Sequence, residues 1–156
     1  MSIEVQAADR VYAHDVLSRN HSLRVGRTGE LLEPLDHPAL MAVRDGTPIA
    51  LATYIVHGES CEILTLHADV ESSGAGTALL DAVASEAKRA GCTRLWLITT
   101  NDNTHAIRFY QRRGFTISGI NVGGVDEVRR TVKPDISERG NDGIPIRDEI
   151  VFEILL

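Results

Sequence analysis

The chain has 156 residues, of which 43% are hydrophobic and 24% charged. These values are typical of a soluble globular protein, and the length fits a single domain over residues 1–156. The formal net charge of −6 argues against a broad electrostatic grip on nucleic acid. No apolar run approaches the roughly 20 residues that span a bilayer, and no signal peptide is visible. We therefore expect a cytoplasmic protein with neither nucleic-acid nor membrane partners.

The two cysteines, Cys61 and Cys92, are too few for a disulfide framework and lack the spacing of a zinc site, so we expect no metal. Either thiol could in principle carry an acyl group. Cys61 has no evident partner base, and Cys92 follows the far end of a predicted helix. We interpret both as buried structural thiols.

The first half of the chain predicts a strand and a helix followed by an antiparallel meander. The dipeptide Asp45-Gly46 between two apolar runs is a strong hairpin signal. Residues 20–36 have mixed polarity and contain Gly and Pro breakers, so we expect irregular structure there, with room for a short helix. The predicted elements are a strand over 3–7, a helix over 8–19, and strands over 39–43, 49–56 and 61–68.

The second half changes to alternating helices and strands, which predicts a right-handed parallel crossover. Asn101-Asp102-Asn103 supplies N-cap residues for a short helix. The predicted elements are helices over 74–90, 104–113 and 125–132, strands over 94–99, 115–120 and 149–156, and an irregular loop around residues 134–147.

A glycine turn joins the strand over 61–68 to the helix that follows it. The start of a helix leaves about four backbone N–H groups unpaired, and small residues let an anion approach them closely. Such a turn suits a pyrophosphate, although two glycines before a helix are also compatible with a tight turn that binds nothing. A P-loop is unsupported because no Lys follows Gly76, and the dinucleotide fingerprint fails because position 79 is Leu. The turn reads Glu71-Ser72-Ser73-Gly74-Ala75-Gly76-Thr77.

A second motif lies downstream of the turn. Asn103, Ala106, Tyr110, Gly114 and Phe115 fit the pattern Asn-x-x-Ala-x-x-x-Tyr-x-x-x-Gly-Phe. With the glycine turn before it, this arrangement resembles the GNAT superfamily of N-acetyltransferases. The resemblance covers about residues 2 to 120 and is dense from Cys61 to Phe115. Further runs resemble a group of small bacterial members whose acceptor substrate is generally unassigned.

The resemblance implies an α/β (α+β) GNAT fold: one mixed twisted sheet of about six to seven strands, flanked by helices, with a splayed central parallel strand pair. It also implies an acetyl-CoA-dependent N-acetyltransferase that moves an acetyl group directly to a primary amine of a small molecule or peptide. Acetyl-CoA is then the acyl-donor cosubstrate. The resemblance leaves the acceptor and the choice between monomer and homodimer open.

Roles for individual residues follow from the same resemblance. Tyr110 matches the tyrosine that protonates the leaving thiolate, as a phenol with an ordinary pKa of about 10 can do. Its alternative role is packing within the helix. Asn103 is expected to bond the cofactor arm as well as to cap the helix. The implied cofactor-contacting residues are Leu66, His67, Ala68, Glu71, Ser72, Ser73, Gly74, Ala75, Gly76, Thr77, Asn103, Ala106 and Tyr110.

A base must accept the proton of the amine, either directly or through water. Glu62, on the strand that leads to the turn, is the leading candidate, and a surface carboxylate without a catalytic role is about equally compatible with the pattern. His67 is a rival base, although histidine at the end of a strand is more often structural.

One position departs from the family pattern, because Glu71 stands where the family usually has Arg or Gln. A carboxylate near a pyrophosphate costs about 1 kcal/mol at 4 Å in a well-solvated site, so backbone amides should still hold the anion. This departure favours a second hypothesis, an acyl-CoA-binding sensor or interaction module with little turnover. Four basic residues between residues 123 and 147 are candidates to contact an acidic acceptor, but a solvated connector or a dimer contact is the preferred interpretation of this segment. These residues are Arg129, Arg130, Lys133 and Arg147.

Overall fold

The structure is a computed structural model that describes residues 2–69 and 73–156. Up to the glycine turn, its elements follow the predicted order closely. They are β1 (Ile3–Ala7), α1 (Arg10–Arg19), β2 (Val25–Arg27), β3 (Glu30–Leu32), a 3-10 turn (Pro34–Asp36), β4 (Ala39–Arg44), β5 (Thr47–His57) and β6 (Ser60–Ala68).

Helices and strands alternate after the turn until β8. The elements are α2 (Ala75–Arg89), β7 (Arg94–Thr100), α3 (Thr104–Arg112), β8 (Thr116–Asn121), α4 (Gly124–Thr131), a second 3-10 turn (Asn141–Gly143) and β9 (Glu149–Leu155).

Seven of these strands form one mixed sheet in the order β1-β4-β5-β6-β7-β9-β8, and the four helices of the described ranges flank it. The pairs β1–β4, β4–β5, β5–β6 and β8–β9 are antiparallel. The seven strands confirm the predicted fold class. The splay of a central parallel pair stays a prediction.

The chain divides into two compact units, and the single domain over residues 1–156 stays a prediction. The first unit comprises residues 1–25, 33–95 and 156, and the second comprises residues 26–32 and 96–155. Among the described residues, no helix is long and apolar enough to cross a membrane.

Two helices cover the strands of the first unit. On one side, α1 buries Ala13, Val16 and Leu17 against Leu51 of β5. On α2, apolar side chains recur at helical spacing and are buried: Leu79, Leu80, Val83 and Ala87. Gly91 ends α2 in the left-handed conformation, and the Cys92 N–H then reaches back to the Ala87 carbonyl. Such a left-handed glycine is a common way for a helix to end.

An aromatic cluster and a buried carboxylate organise the second unit. The ring of Tyr110 packs edge-on against Phe115 and lies 6.1 Å from Phe152 between centroids. Glu149, only 2% exposed, accepts hydrogen bonds from the Thr28 N–H and the Asn121 side chain. The carboxylate therefore ties the turn between β2 and β3 to β8.

The segment over residues 20–36, expected to be irregular with room for a short helix, contains the β2–β3 hairpin, which was not predicted, and a short 3-10 turn. The hairpin turn has Thr28 at φ 48° and Gly29 at φ 77°. Both values lie in the left-handed region that a two-residue hairpin turn needs. Threonine rarely adopts this conformation, so the sequence carried little signal for the turn.

Candidate active site

Strand β6 carries a β-bulge that decides which way its side chains point. Thr65 pairs with Thr53 of β5, whereas the next pair along is Ile63 with Tyr54. Leu64 is therefore an extra residue in β6. Without it, Glu62 would lie on the opposite face from Thr65, because neighbouring strand residues alternate in direction.

The bulge gathers polar residues on the side of the sheet that faces α1. Glu62 pairs with Ile55, Thr65 with Thr53 and His67 with Leu51. Directly opposite residues share a face, and Leu51 packs against α1. The structure thus places Glu62, Thr65 and His67, the two predicted bases among them, on one side of β6. We call this side the α1-facing side of β6.

Buried polar groups on this side already have partners, with one exception. The hydroxyls of Thr53 and Thr65 lie 2.6 Å apart and share a hydrogen bond. Glu62 is 2% exposed and also has an interaction partner. The exception is Nε2 of His67. It is the one buried side-chain nitrogen or oxygen within residues 2–69 and 73–156 that has no hydrogen-bond partner.

Burial lowers the pKa of His67 below its ordinary value, and the cation of Arg19 acts in the same direction. The nearby carboxylate of Asp69 opposes this shift. The net effect favours the neutral imidazole at neutral pH. A neutral imidazole has one ring nitrogen free to accept a hydrogen bond or a proton.

The stem of the glycine turn is fixed to α1 through Asp69. Its carboxylate accepts a hydrogen bond from the Tyr12 hydroxyl at 3.0 Å and pairs with the Arg19 guanidinium at 3.2 Å. The Asp69 N–H donates to the Ile49 carbonyl at 2.7 Å. Contacts to Tyr12, Arg19 and Ile49 therefore fix the position of Asp69, just after the end of β6.

The glycine turn itself begins α2 with an unusual backbone. Gly74 is the N-cap in the left-handed conformation, with φ 87°, and the hydroxyl of Ser73 accepts a hydrogen bond from the Ala75 N–H at 3.3 Å. Gly76 and Thr77 lie in the first turn of α2, and Thr77 has an interaction partner. The predictions for Glu71 and Ser72 fall outside the described residues.

The downstream motif, from Asn103 to Phe115, has a structural role at both ends of α3. The Asn103 side chain accepts a hydrogen bond from the Ala106 N–H at 3.2 Å, which is the predicted N-cap. Gly114 ends this helix with φ 93°. The Phe115 N–H then bonds the Tyr110 carbonyl. The motif therefore encodes the start and the end of α3.

Tyr110 is the buried residue of α3, with 6% of its surface exposed. Three rings surround it, those of Phe109, Phe115 and Phe152. Burial raises the pKa of the phenol well above its ordinary value, so the hydroxyl keeps its proton at any physiological pH. Both the packing role and the proton-donor role are compatible with this position.

The loop after α4 is held by residues that the sequence singled out only as helix caps or as possible acceptor contacts. The Asn101 side chain accepts hydrogen bonds from the N–H groups of Arg147 and Asp148 and donates to the Pro145 carbonyl. The Asp102 carboxylate accepts from the Asn141 N–H. The close packing of the Asp102 carboxylate against Gly140 leaves no room for a Cβ.

Of the four basic residues considered as acceptor contacts, Arg129 is fully engaged within the protein. Its guanidinium donates to the carbonyls of Ile136, Ser137 and Ile146 and pairs with Asp126. Arg147 pairs with Asp148. Arg129 therefore stabilises the loop from within the protein, a role that the sequence did not predict.

The two thiols are buried, as expected for structural cysteines. Burial raises the pKa of Cys61 to about 12, so its thiol is not a nucleophile at neutral pH. Within the described ranges, no group of three or more His, Cys, Asp or Glu residues is arranged to hold a metal ion.

The residues predicted for the site are divided between the two units. The first holds Glu62 and His67 on one side of β6, the arm positions Leu66 and Ala68, and the start of α2. The second holds Asn103, Ala106 and Tyr110 on α3.

Similar proteins identify the family of this chain. Residues 8–115 match the acetyltransferase (GNAT) family. The uncharacterized proteins YdhI and YxbD of Bacillus subtilis are 48% and 39% identical to this chain. These matches cover 69% of this chain and only about two thirds of the relatives' own length, 66% and 67%. The chain belongs to the GNAT family of acetyltransferases.

More distant proteins have the same fold. An IAA acetyltransferase from Bacillus cereus superposes with a TM-score of 0.76 at 19% identity, over 99% of this chain and 100% of that one. A GNAT acetyltransferase from Elizabethkingia anophelis, solved with acetyl-CoA bound, gives 0.72 at 17% identity over 99% and 98%. The Escherichia coli amino-acid acetyltransferase is 33% identical over 59% of this chain and 21% of its own length.

Proposed function

We propose that this protein is an acetyl-CoA-dependent N-acetyltransferase that acts on a primary amine of a small molecule or peptide. The observation that carries the proposal is the start of α2 at Gly74, where a left-handed glycine follows β6. Family membership and the acetyl-CoA bound to the Elizabethkingia anophelis protein support it.

The cofactor is proposed to bind first through its pyrophosphate. The backbone amides of the first turn of a 15-residue helix carry a partial positive charge, and Gly74 has no Cβ that would block an anion from approaching them. Leu66, His67 and Ala68 are proposed to follow the acetyl and pantetheine arm along β6. From α3, Asn103 and Ala106 are proposed to contact the same arm.

Acetyl transfer forms a bond from the amine nitrogen to the thioester carbonyl carbon and breaks the carbon–sulfur bond. A backbone N–H of β6 is proposed to stabilise the developing oxyanion. The leaving thiolate needs a proton, and we assign its donation to the Tyr110 phenol. The raised pKa of the phenol keeps that proton in place until the thiolate forms.

We propose Glu62 as the base that finally holds the proton of the amine. Its carboxylate is 2% exposed, so it would act through an intervening group rather than by direct contact. The E. coli relative is named an amino-acid acetyltransferase. Amino acids are therefore the first acceptors to test.

The test is coenzyme A release from acetyl-CoA across amino acids, small amines and peptides, with wild type compared with Tyr110→Phe. We expect Tyr110→Phe to lose about a hundredfold or more in turnover while binding acetyl-CoA as tightly as wild type. Tyr54→Phe is the matched control, because Tyr54 is another buried phenol, 8% exposed and outside the proposed site. Equal turnover in wild type and Tyr110→Phe would exclude Tyr110 as the acid.

The alternative, an acyl-CoA-binding module with little turnover, is favoured by Glu71 in place of the usual Arg or Gln. It predicts that wild type binds acetyl-CoA but releases no coenzyme A with any amine of the panel. The same experiment therefore separates the two functions.

A further inference from the structure

The unpartnered ring nitrogen of His67 needs a physical explanation. Buried polar groups are almost always hydrogen-bonded, and one left without a partner costs roughly 1–3 kcal/mol. Within residues 2–69 and 73–156, Nε2 of His67 is the one buried side-chain nitrogen or oxygen in this state. An atom that is unsatisfied in the free protein is a natural contact for a ligand.

We propose that Nε2 of His67 contacts the acceptor amine and takes its proton. The inference rests on the proposed function and names the group that meets the amine directly. Two further observations support it, the placement of the side chain and the state of its neighbours.

The placement of His67 favours the acceptor over the acyl donor. The side chain lies on the α1-facing side of β6, opposite Leu51, which packs against α1. The end of α1 also reaches this region, because Arg19 pairs with Asp69 two residues beyond His67. The backbone of β6, which the arm is proposed to follow, is separate from this side-chain surface.

Glu62 is not placed to contact the acceptor amine directly, so that contact falls to another residue. Glu62 is five residues before His67, which is roughly 15 Å along a strand. It is buried and already partnered, so it does not offer a free oxygen to a ligand. Both residues lie on the α1-facing side of β6.

The charged groups around His67 allow the role. Asp69 at the end of β6 stabilises an imidazolium, whereas the Arg19 guanidinium of α1 opposes it. Burial dominates, so His67 is neutral before the reaction and can accept a proton.

Each proton that moves during the transfer has a donor and an acceptor. The ammonium gives one proton to Nε2 and becomes a neutral amine, which attacks the thioester carbon. When the carbon–sulfur bond breaks, Tyr110 protonates the thiolate, and the remaining extra proton on nitrogen returns to the Tyr110 phenolate. His67 is the group between the amine and Glu62: it passes the proton on toward Glu62, which later releases it to water.

The experiment compares two probe amines, because they differ in their need for a base. Ethylamine is protonated at neutral pH and must lose a proton before attack, whereas hydroxylamine is already unprotonated. We expect His67→Gln to lose about a hundredfold or more in turnover with ethylamine and to keep its turnover with hydroxylamine. His57→Gln, at an exposed position on β5, is the matched control and should behave as wild type.

Three results would overturn the inference. Equal losses with both amines would indicate a structural role, and weaker acetyl-CoA binding in His67→Gln would place the contact on the acyl donor. Unchanged turnover of His67→Gln with ethylamine would show that Nε2 takes no proton from the amine. Added imidazole should restore ethylamine turnover to His67→Gly, which a structural role does not predict. If wild type releases coenzyme A with no amine of the wider panel, the proposed function fails, and the inference fails with it.

Discussion

At the scale of single residues, small positional details decide what a side chain can do. The extra residue Leu64 turns Glu62 to the same side as His67. Burial leaves His67 neutral and Tyr110 protonated, the states required of a base and an acid before the reaction. The proposed chemistry therefore depends as much on the bulge and on burial as on residue type.

The pH dependence of stability tests the burial of His67. Its folded pKa lies below the unfolded value of about 6.5, so the unfolded chain binds the proton more readily. This contribution to the free energy of unfolding is complete above the unfolded pKa and is lost as pH falls through the folded pKa. Denaturant unfolding between about pH 5 and 7.5 should show a shallower loss on acidification in His67→Gln than in wild type. Parallel curves would contradict the lowered pKa.

A substitution at Gly140 tests whether Asp102 fixes the loop between α4 and β9. A Cβ at this position would overlap the Asp102 carboxylate, so we expect Gly140→Ala to lower the free energy of unfolding by about 1–3 kcal/mol. In Gly119→Ala the added Cβ meets only Val151, at 3.8 Å, and this variant is the control. Denaturant unfolding measures both. Equal stability of the two variants would show that the loop moves freely around Asp102.

At the scale of elements, helix ends carry much of the motif that identifies the family. Asn103 caps α3 and is also proposed to bind the cofactor, whereas Gly114 ends the helix. The sequence predicted these ends because capping needs particular residues at fixed positions. The Asp45-Gly46 hairpin was predictable for the same reason, since both residues have positive φ.

The cap of α3 can be separated from cofactor binding. Asn103→Ala should lower the free energy of unfolding by about 1 kcal/mol, while Asn103→Asp should keep the cap and so most of the stability. Asp9→Ala is the control, because the Asp9 side chain makes no cap bond at α1. If thermal unfolding shows Asn103→Asp to be as unstable as Asn103→Ala, the side-chain oxygen is not acting as a cap.

Other elements carried no local signal. The β2–β3 hairpin turns at Thr28, a residue that seldom takes positive φ. Glu149 and Asn101 reach partners 121 and 44 to 47 residues away in sequence, which no local pattern encodes. The bulge at Leu64 depends on how β5 pairs with β6. Simple alternation of side chains along β6 would put Glu62 and His67 on opposite sides of the sheet, so their common side could not be predicted from the sequence.

At the scale of the whole molecule, the order of elements was the predictable part. Alternating apolar patterns, the glycine turn and the Asn103-to-Phe115 motif together predicted the fold and the family. The acceptor was not predictable, because its proposed contacts come from segments distant in sequence and held by long-range hydrogen bonds. Local patterns thus specify the part that is proposed to bind the acyl donor.

The central claim is that acetyl-CoA binds at the start of α2, and thermal unfolding with and without acetyl-CoA tests it most directly. Gly74→Ala and Gly91→Ala form a matched pair at opposite ends of α2, with φ 87° and 88°, so each adds a similar backbone strain of about 1–2 kcal/mol. Only Gly74 lies where the pyrophosphate is proposed to bind.

At 100 times the dissociation constant, a ligand stabilises the folded state by about 2.7 kcal/mol, which is roughly 5–10 °C in Tm for a chain of this size. We predict that shift for wild type and Gly91→Ala, and a much smaller one for Gly74→Ala at the same concentration. No shift in wild type at saturating acetyl-CoA, or equal shifts in the two glycine variants, would contradict the claim.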